Sequence, residues 1–316
     1  MGPSQLSVYA IGMRARFRRI TVREGMLFQG PAGWAEFSPF LDYDATESAA
    51  WLAAAREAAD IGWPAPIRTH IPVNVTVPAV GPERAAAIVR ASGGCRTAKV
   101  KVAEPGEQLA DDIARVEAVR DALGPDGRIR VDANGGWSLD AAHKALSELK
   151  RFDLEYAEQP CMSVEDLAAL RRRTDVPIAA DESIRRADDP YRVVALDAAD
   201  IAVLKVQPLG GVAACLEIAQ RIGLPVVVSS ALETSIGIAA GIALAAALPE
   251  LPYACGLATV HLLAADVVAD PLLPVNGQIE VRRPVPDPAL LAAAAADEST
   301  SHRWRERLTT VEAVTS

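Results

Sequence analysis

Short apolar segments alternate with polar loops and amphipathic stretches over most of the chain after residue 70. Eight such segments occur, about 25 residues apart: VNVTV, AKVKV, RIRVDA, LEYAEQ, PIAADES, IAVLKVQ, PVVVSSA and ACGLA. The stretches between them, such as EQLADDIARVEAVRDALG, have the apolar spacing of helices. Regular alternation of strand and helix is typical of parallel β/α units, and eight units favour a closed (β/α)8-type barrel. A doubly wound dinucleotide-binding sheet would also need a glycine fingerprint that the sequence lacks.

The first 70 residues have a different pattern. Residues 5–40 alternate apolar and polar positions, and REGMLFQGPAGWAEF predicts two strands joined by a Gly-Pro-Ala-Gly turn. TESAAWLAAAREAADI predicts a helix with Thr46 as its N-cap. We therefore predict an α+β capping domain in residues 1–70, a catalytic barrel in residues 71–265, and a segment in residues 266–316 that packs back on the capping domain. An Ala-rich helix is expected in that last segment from about Asp287.

Composition narrows the choice of function. The chain carries 32 basic and 41 acidic residues, for a net charge of −9, which argues against a nucleic-acid partner. Neither a secretory signal nor an apolar run long enough to span a bilayer is evident, and the run at 236–248 predicts a buried helix instead. Four scattered cysteines, at positions 95, 161, 215 and 255, indicate reduced thiols. We expect a cytoplasmic protein without a membrane partner; its oligomeric state cannot be predicted from these features.

Charged residues stand at the ends of five of the apolar segments, where charge is normally avoided. They are Lys99, Lys101, Asp132, Glu158, Asp181 and Lys205. From Asp132 onward the spacing is 26, 23 and 24 residues, about one residue per β/α unit. The carboxyl ends of barrel strands meet at one face, so the spacing predicts one shared site. The alternative for Lys99 and Lys101 alone is a solvated strand edge.

Three carboxylates at one barrel mouth would repel one another unless a cation neutralised them. Asp132, Glu158 and Asp181 are therefore predicted metal ligands. Oxygen ligands without histidine or cysteine favour Mg²⁺, with Mn²⁺ as a substitute. The alternative for any single carboxylate is a helix cap or an ion pair.

Two lysines, Lys101 and Lys205, come from strands on opposite sides of the predicted barrel and would flank a metal-bound substrate. A neighbouring ammonium on Lys99 would lower the pKa of Lys101, which suits a proton acceptor. The expected substrate is a small anionic carboxylate whose neighbouring C–H bond loses its proton.

Polar residues in other loops are candidates for substrate binding. SSALETSIG ends the seventh strand and begins a helix, so Ser229, Ser230, Thr234 and Ser235 are predicted to bind a second substrate carboxylate, with helix capping as the alternative. Asn74 and Thr76 share one face of the first strand and are predicted to line the pocket or to fill space. The arginine-rich RARFRR segment at 14–19 either closes over the site or is a solvated loop.

The ordered motifs AKVKV, RVDANGGWS, YAEQP, AADES, VLKVQPLGG and SSALETSIG resemble those of the enolase superfamily. This resemblance implies a modified (β/α)7β barrel with a capping domain, and Mg²⁺ held by Asp132, Glu158 and Asp181. It also implies Lys101 as general acid/base, Lys205 as the opposing lysine that stabilises an enediolate, and Lys99 as the partner lysine. GWAEFSPF resembles a family segment that usually reads Gly-Trp-Gly-Glu-Phe, with Ala35 in place of the glycine.

Within the superfamily, IPVNVTVPAV and VVVSSALETSIGIAAG are most similar to the dehydratases of menaquinone biosynthesis. A racemase of N-succinylamino acids is the nearest alternative, because it needs the same two lysines. Dipeptide epimerases usually have an Asp-x-Asp motif on the eighth strand, where this chain reads CGLATVHLL. A barrel that only binds a partner would be expected to have lost at least one of the six charges.

Overall fold

The capping domain begins with three antiparallel strands. The computed structural model describes residues 6–17, 20–186 and 189–315. Strands β1 (Leu6–Phe17), β2 (Ile20–Gly30) and β3 (Gly33–Phe37) pair in that order, with the predicted turn between β2 and β3. Of the predicted arginine-rich segment, Arg18 and Arg19 lie outside the described residues.

Helix α1 (Ala45–Arg56) follows, and a π-helical turn (Glu57–Ile61) extends it. The prediction of Thr46 as its N-cap is wrong. Asp44 is the N-cap, and its side chain accepts from the Glu47 amide while the Glu47 side chain accepts from the Asp44 amide. This reciprocal capping box satisfies two amides at once, which a threonine inside the first turn cannot do.

Seven parallel strands form the curled central sheet. In spatial order they run from β5 (Val75–Val77) through β6 (Thr97–Lys101), β7 (Arg128–Asp132), β8 (Leu154–Glu158), β9 (Ile178–Ala180) and β10 (Ile201–Lys205) to β11 (Val226–Ser229). The predicted eighth strand is shorter than expected. Single parallel bridges from Cys255 to Val73 and from Gly256 to Ser229 join it to the two ends of the sheet. The predicted barrel is thus confirmed, with its eighth position filled by two bridging residues.

Helices separate the barrel strands along the chain. They are α2 (Pro82–Arg90), α3 (Leu109–Leu123), α4 (Leu139–Leu149), α5 (Val164–Arg171), α6 (Glu182–Arg185), α7 (Arg192–Ala195), α8 (Val212–Ile222) and α9 (Ser235–Ala247). Short 3₁₀ turns occupy Lys150–Phe152 and Val260–Leu262. The α9 helix is the apolar run predicted to be buried, and none of the described helices is both long and apolar enough to cross a membrane. The four cysteines are buried and free.

The C-terminal segment returns to the beginning of the chain. Strand β12 (Gln278–Glu280) pairs antiparallel with β4 (His70–Pro72), and helices α10 (Pro288–Ala293) and α11 (Glu298–Thr315) follow. Asp287 caps α10. On α11, the Trp304 ring packs edge-on against Phe37 of β3 with centroids 6.1 Å apart. These contacts hold the last helix against the capping domain.

Inside the barrel, a lower layer of side chains closes the floor. The Arg130 guanidinium is fully buried, 4.7 Å from the ring centroid of Tyr156 and 5.8 Å from that of Tyr253. It donates to Glu155 at 2.5 Å and to the Asn74 side-chain oxygen at 3.1 Å. We call Asn74, Arg130, Glu155, Tyr156 and Tyr253 the floor layer.

Candidate active site

A group of charged side chains lies above the floor layer, toward the carboxyl ends of the strands, where Asp132 and Glu158 follow Arg130 and Tyr156 by two residues. The strand register places Lys101 opposite Asp132 and Asp132 opposite Glu158. Lys99, Lys101 and Lys205 are only 6–8 % exposed, which excludes a solvated strand edge. We call the six charged residues at these strand ends the mouth layer: Lys99, Lys101, Asp132, Glu158, Asp181 and Lys205.

Lys101 is held by two oxygen atoms and covered by a ring. Its Nζ lies 2.5 Å from Asp132 Oδ2, 2.5 Å from Asn134 Oδ1 and 5.1 Å from the centroid of the Phe17 ring. Burial lowers the pKa of Lys101, and the Lys99 charge acts in the same direction against the opposing effect of Asp132. At a given pH, a larger fraction of Lys101 than of an ordinary lysine is therefore the neutral amine, the form that can accept a proton.

Lys99 bridges two carboxylates. Its Nζ lies 2.7 Å from Glu158 Oε1 and 3.0 Å from Asp132 Oδ2. Burial alone would lower the pKa of Lys99, but the two carboxylates raise it above its usual value, so this lysine stays charged. Burial raises the pKa of Glu158 to about 7, and the charges of Asp132 and Asp181 add to that rise. The negative charges of the three carboxylates therefore interact.

On the opposite side of the barrel, Lys205 Nζ lies 2.6 Å from Asp181 Oδ2. Arg185 Nε donates to the other oxygen of Asp181 at 2.8 Å, and the same guanidinium contacts Glu182 and the Tyr43 hydroxyl of the capping domain. Burial alone would raise the pKa of Asp181, but Arg185 and Lys205 hold it below its usual range. Asp181 is thus fixed as a carboxylate.

The donor set fits a hard divalent cation in its chemistry. Asp132, Glu158 and Asp181 are fully buried carboxylates at the ends of neighbouring strands, and burial, with the charges of Asp132 and Asp181 adding to it, raises the pKa of Glu158. Ammonium and guanidinium groups supply the opposing charge in this structure. Across the described ranges, no three Asp, Glu, His or Cys side chains come close enough together to hold a metal ion. The predicted metal ligands are therefore neighbours, each turned toward a basic partner.

Lys101 and Lys205 both line a small cavity of about 20 Å³, together with Thr76, Ser229 and Ser230 among others. A volume of that size accommodates about one water molecule. Beside it, an open pocket of about 680 Å³ also reaches Lys101 and is lined by Arg16 and Glu104. The Phe17 ring borders both spaces. Phe17, a capping-domain residue, therefore lies between the small cavity and the larger pocket, and Lys101 borders both.

The candidate substrate-binding residues divide into two groups. Ser229 and Ser230 line the cavity, as does Thr76. Thr234 instead bonds Glu36 and caps α9, and the Ser235 hydroxyl bonds Asp266, so both hydroxyls serve the alternative role of holding the helix start.

The structure does not bring Asn74 to the cavity. Its side chain belongs to the floor layer, where it accepts from Arg130 and donates to the Val75 carbonyl at 3.2 Å. Asn74 and Thr76 share one face of the strand, but they stand at different depths in the barrel. The space-filling alternative describes Asn74 better than substrate contact does.

Asn134 is a site residue that the sequence reasoning missed. Besides accepting from Lys101, it donates through Nδ2 to Glu182 Oε1 at 3.1 Å, and its backbone amide donates to Asp132 Oδ1 at 3.1 Å. Its φ of 45° lies in the left-handed region, which asparagine tolerates better than most residues. The Asp-Ala-Asn spacing within RVDANGGWS was the available signal.

Two families match the sequence in the order of the two structural units. The family described as "Enolase N-terminal domain-like" matches residues 8–59, and "Enolase C-terminal domain-like" matches residues 82–287. The second match covers most of the barrel, including the whole mouth layer.

Curated relatives match nearly the full chain. An o-succinylbenzoate synthase of Thermobifida fusca is 64% identical over 95% of this chain and 93% of its own length. Another, of Mycolicibacterium smegmatis, is 57% identical over 96% of this chain and 94% of its own.

Solved structures share the fold at low identity. The muconate lactonizing enzyme of Pseudomonas fluorescens has a TM-score of 0.80 at 19% identity, covering 92% of this chain and 98% of its own. An N-succinyl Arg/Lys racemase of Bacillus cereus has a TM-score of 0.77 at 19% identity, covering 94% and 99%. The chain belongs to the enolase superfamily and, within it, to the o-succinylbenzoate synthase family.

Proposed function

We propose that the chain catalyses the dehydration of 2-succinyl-6-hydroxy-2,4-cyclohexadiene-1-carboxylate to 2-succinylbenzoate, a step of menaquinone biosynthesis. The observation that carries the proposal is the pair of buried lysines, Lys101 and Lys205, that line one cavity from strands β6 and β10. The names of the relatives at 57% and 64% identity supply the reaction.

Lys101 is the proposed general base and acid. As a neutral amine it removes the proton from the ring carbon that bears the carboxylate, and the lowered pKa favours that form. The resulting ammonium then returns the proton to the hydroxyl that leaves from the same ring face. The C–H and C–O bonds break, one water molecule forms, and the ring becomes aromatic.

Lys205 and Lys99 have charge-based roles in this scheme. Lys205 faces the substrate from the other side, where its ammonium stabilises the negative charge that develops on the substrate. Lys99 remains positive between Glu158 and Asp132 and helps to keep the pKa of its neighbour Lys101 low. One lysine therefore moves the proton, and two supply charge.

Asp132, Glu158 and Asp181 are the proposed ligands of Mg²⁺. When bound, Mg²⁺ supplies positive charge beside the substrate carboxylate, where negative charge increases as the proton leaves. Because each carboxylate contacts a basic side chain, metal and substrate binding would require these contacts to rearrange.

The substrate is too large for a cavity of about 20 Å³, so it must approach from the 680 Å³ pocket beside Lys101. Ligand sites are usually roughly 300–1,000 Å³, which the open pocket satisfies. Movement of Phe17 would join the two spaces. The six-membered ring of the substrate would then lie between Lys101 and Lys205, and its succinyl chain would point toward Ser229 and Ser230.

The test is a spectrophotometric assay with Mg²⁺ and the cyclohexadiene carboxylate, following the loss of diene absorbance. We expect metal-dependent turnover that disappears in Lys101→Ala, with circular dichroism showing that the variant is folded. Absence of turnover by folded, Mg²⁺-supplied wild-type protein would contradict the proposed dehydration.

An N-succinylamino acid racemase is the second candidate. Two lysines on opposite sides of one cavity are what removal and redelivery of a proton across a carbon centre require. Incubation with an N-succinylated L-amino acid in deuterated water would distinguish the activities, because racemisation introduces deuterium while optical rotation declines.

A further inference from the structure

The segment from Ser229 to Thr234 joins β11 to α9, and we call it the binding loop. Four of its residues, Ser229, Ser230, Ala231 and Leu232, line the cavity between the lysines. Leu232 has a φ of 69°, in the left-handed region that a bulky residue rarely adopts. Such a conformation persists only where surrounding contacts impose it.

Arg23 of β2 holds the outer part of the binding loop. Its Nε donates to the Leu232 carbonyl at 2.7 Å, and its Nη2 lies 3.4 Å from the Ala231 carbonyl. Arg23 as a whole is only 3 % exposed, and its Nη2 also donates to Ser38 Oγ at 2.9 Å. A buried charge with directed bonds to consecutive carbonyls fixes the orientation of both peptide groups.

Glu36 of β3 holds the other end of the loop. Its Oε2 accepts from the Thr234 hydroxyl at 2.5 Å, the Thr234 amide at 3.1 Å and the Gly237 amide at 3.2 Å. The carboxylate therefore lies at the N-terminus of α9, where negative charge is favourable. Its Oε1 accepts from Tyr9 and Ser38, each at 2.7 Å, so Ser38 links Glu36 to Arg23.

Neither Arg23 nor Glu36 lines the cavity, although both contact the loop that does. Both come from the capping domain, and their partners come from the barrel more than 190 residues later, as the Arg23–Leu232 and Glu36–Thr234 bonds show. Both side chains therefore act on the cavity indirectly, through the position of the loop and, for Arg23, also through Phe40, whose ring centroid lies 4.9 Å from its guanidinium carbon.

We propose that Arg23 and Glu36 are positioning residues that set the shape of the binding loop and, through that loop, how the substrate side chain fits. This inference rests on the proposed function for its kinetic test. The hydrogen bonds also make a prediction that needs no turnover, because Glu36 protects two backbone amides of the loop and helix from exchange.

The variants are Glu36→Gln, which removes the charge and keeps the size, and Arg23→Lys, which keeps the charge and removes the planar guanidinium. Glu57→Gln is the matched control. Glu57 is also a capping-domain carboxylate at a barrel helix, where it accepts from the Val212 amide at 2.6 Å and the Ala213 amide at 2.9 Å. That helix, α8, does not follow the binding loop.

In Glu36→Gln and Arg23→Lys we expect KM to rise about tenfold while kcat and Tm change little. The control variant Glu57→Gln should keep the wild-type KM. Deuterium exchange in the 229–237 peptide should accelerate in both loop variants and not in the control. If all three variants keep the wild-type KM and exchange, or if kcat falls with Tm equally in all three, the inference is wrong. Faster exchange in the two loop variants, together with a wild-type protein that shows no turnover, would contradict the proposed function alone.

Discussion

The floor layer and the mouth layer are two buried ionic groups inside one barrel, and on β7 and β8 their members stand two residues apart. In the floor layer the Arg130 guanidinium lies 4.7 Å from Tyr156 and bonds Glu155 and Asn74. In the mouth layer the cations at the strand ends are lysines, in contact with carboxylates and bordering a cavity. Arginine cannot lose its proton in a protein, whereas a buried lysine can. The upper group therefore suits proton transfer, and the lower group suits support.

The largest expected effect tests proton transfer inside the mouth layer. Lys101→Arg keeps the positive charge and removes the capacity to act as a base, so kcat for dehydration should fall by about 10³-fold or more. Lys205→Arg keeps the charge that the dehydration scheme requires, so its loss should be much smaller, about tenfold. Steady-state rates with equal Mg²⁺ measure both.

The same pair separates the two proposed activities. A racemase needs a base on each face of the carbon, so Lys205→Arg should abolish racemisation of an N-succinylamino acid while retaining dehydration. Equal losses of dehydration in the two variants would contradict the division of roles between Lys101 and Lys205.

The next largest effect is expected from a substitution that disrupts the floor layer. Arg130→Met removes one member of a buried ion pair and leaves Glu155 and Asn74 without it, so the free energy of unfolding should decrease by about 4 kcal/mol. Urea denaturation measures the change. Because Arg130 lies below the cavity, we expect the folded fraction to keep a kcat close to that of wild type.

Glu155→Gln provides the comparison, since it retains an acceptor for Arg130 and should be less destabilising. A kcat for Arg130→Met that falls as far as that of Lys101→Arg, in protein shown to be folded, would mean that the floor layer takes part in the chemistry.

The sequence predicted the barrel and the mouth layer because both follow from local regularities. Strand parity places Lys99 and Lys101 on one face, and spacing places Asp132, Glu158 and Asp181 at successive strand ends. The depth of a residue within the barrel, in contrast, cannot be predicted from such regularities. Asn74 and Thr76 share parity, and only the packing of Asn74 on Arg130 decides which one reaches the cavity.

Hydroxyls at the start of α9 show a second limit. Thr234 and Ser235 have the composition of an anion-binding helix start, but Glu36 and Asp266 already occupy their hydroxyls. Glu36 precedes Thr234 by almost 200 residues, so this competition depends on domain packing and leaves no local sequence pattern. The Asp44 cap of α1 is a third case, because Asp-Ala-Thr-Glu offers two capping residues at nearly the same position.

A third expected effect concerns a buried carboxylate beside the binding loop. Burial raises the pKa of Glu233 from 4.5 to about 7, and the charge of Glu36 adds to the rise. The folded state therefore favours the neutral acid. Its contribution to stability is complete below pH 4.5, is lost as pH rises toward 7, and becomes a constant cost above that value.

Glu233→Gln removes this titration and keeps an oxygen for the Ala231 amide, which Glu233 accepts at 2.9 Å. The variant should gain up to about 3 kcal/mol relative to wild type between pH 4.5 and pH 8. Urea denaturation of both proteins at each pH measures the difference, which reports Glu233 together with its interaction with Glu36. A constant difference across this range would show that Glu233 is ionised throughout in the folded protein.

The smallest expected effect concerns Asn134, whose side chain contacts Lys101 of the mouth layer and Glu182. Asn134 Oδ1 accepts from Lys101 Nζ at 2.5 Å while its amide group donates to Glu182 at 3.1 Å, so it orients the proposed base. Asn134→Ala leaves Lys101 bonded to Asp132 and should reduce kcat about tenfold, the effect of one lost hydrogen bond to a charged group.

Asn134→Asp tests whether Asn134 acts on the proton affinity of Lys101. A carboxylate there stabilises the ammonium, so the limb of the kcat/KM profile that reports the base should move to higher pH, a shift that a purely structural role would not produce.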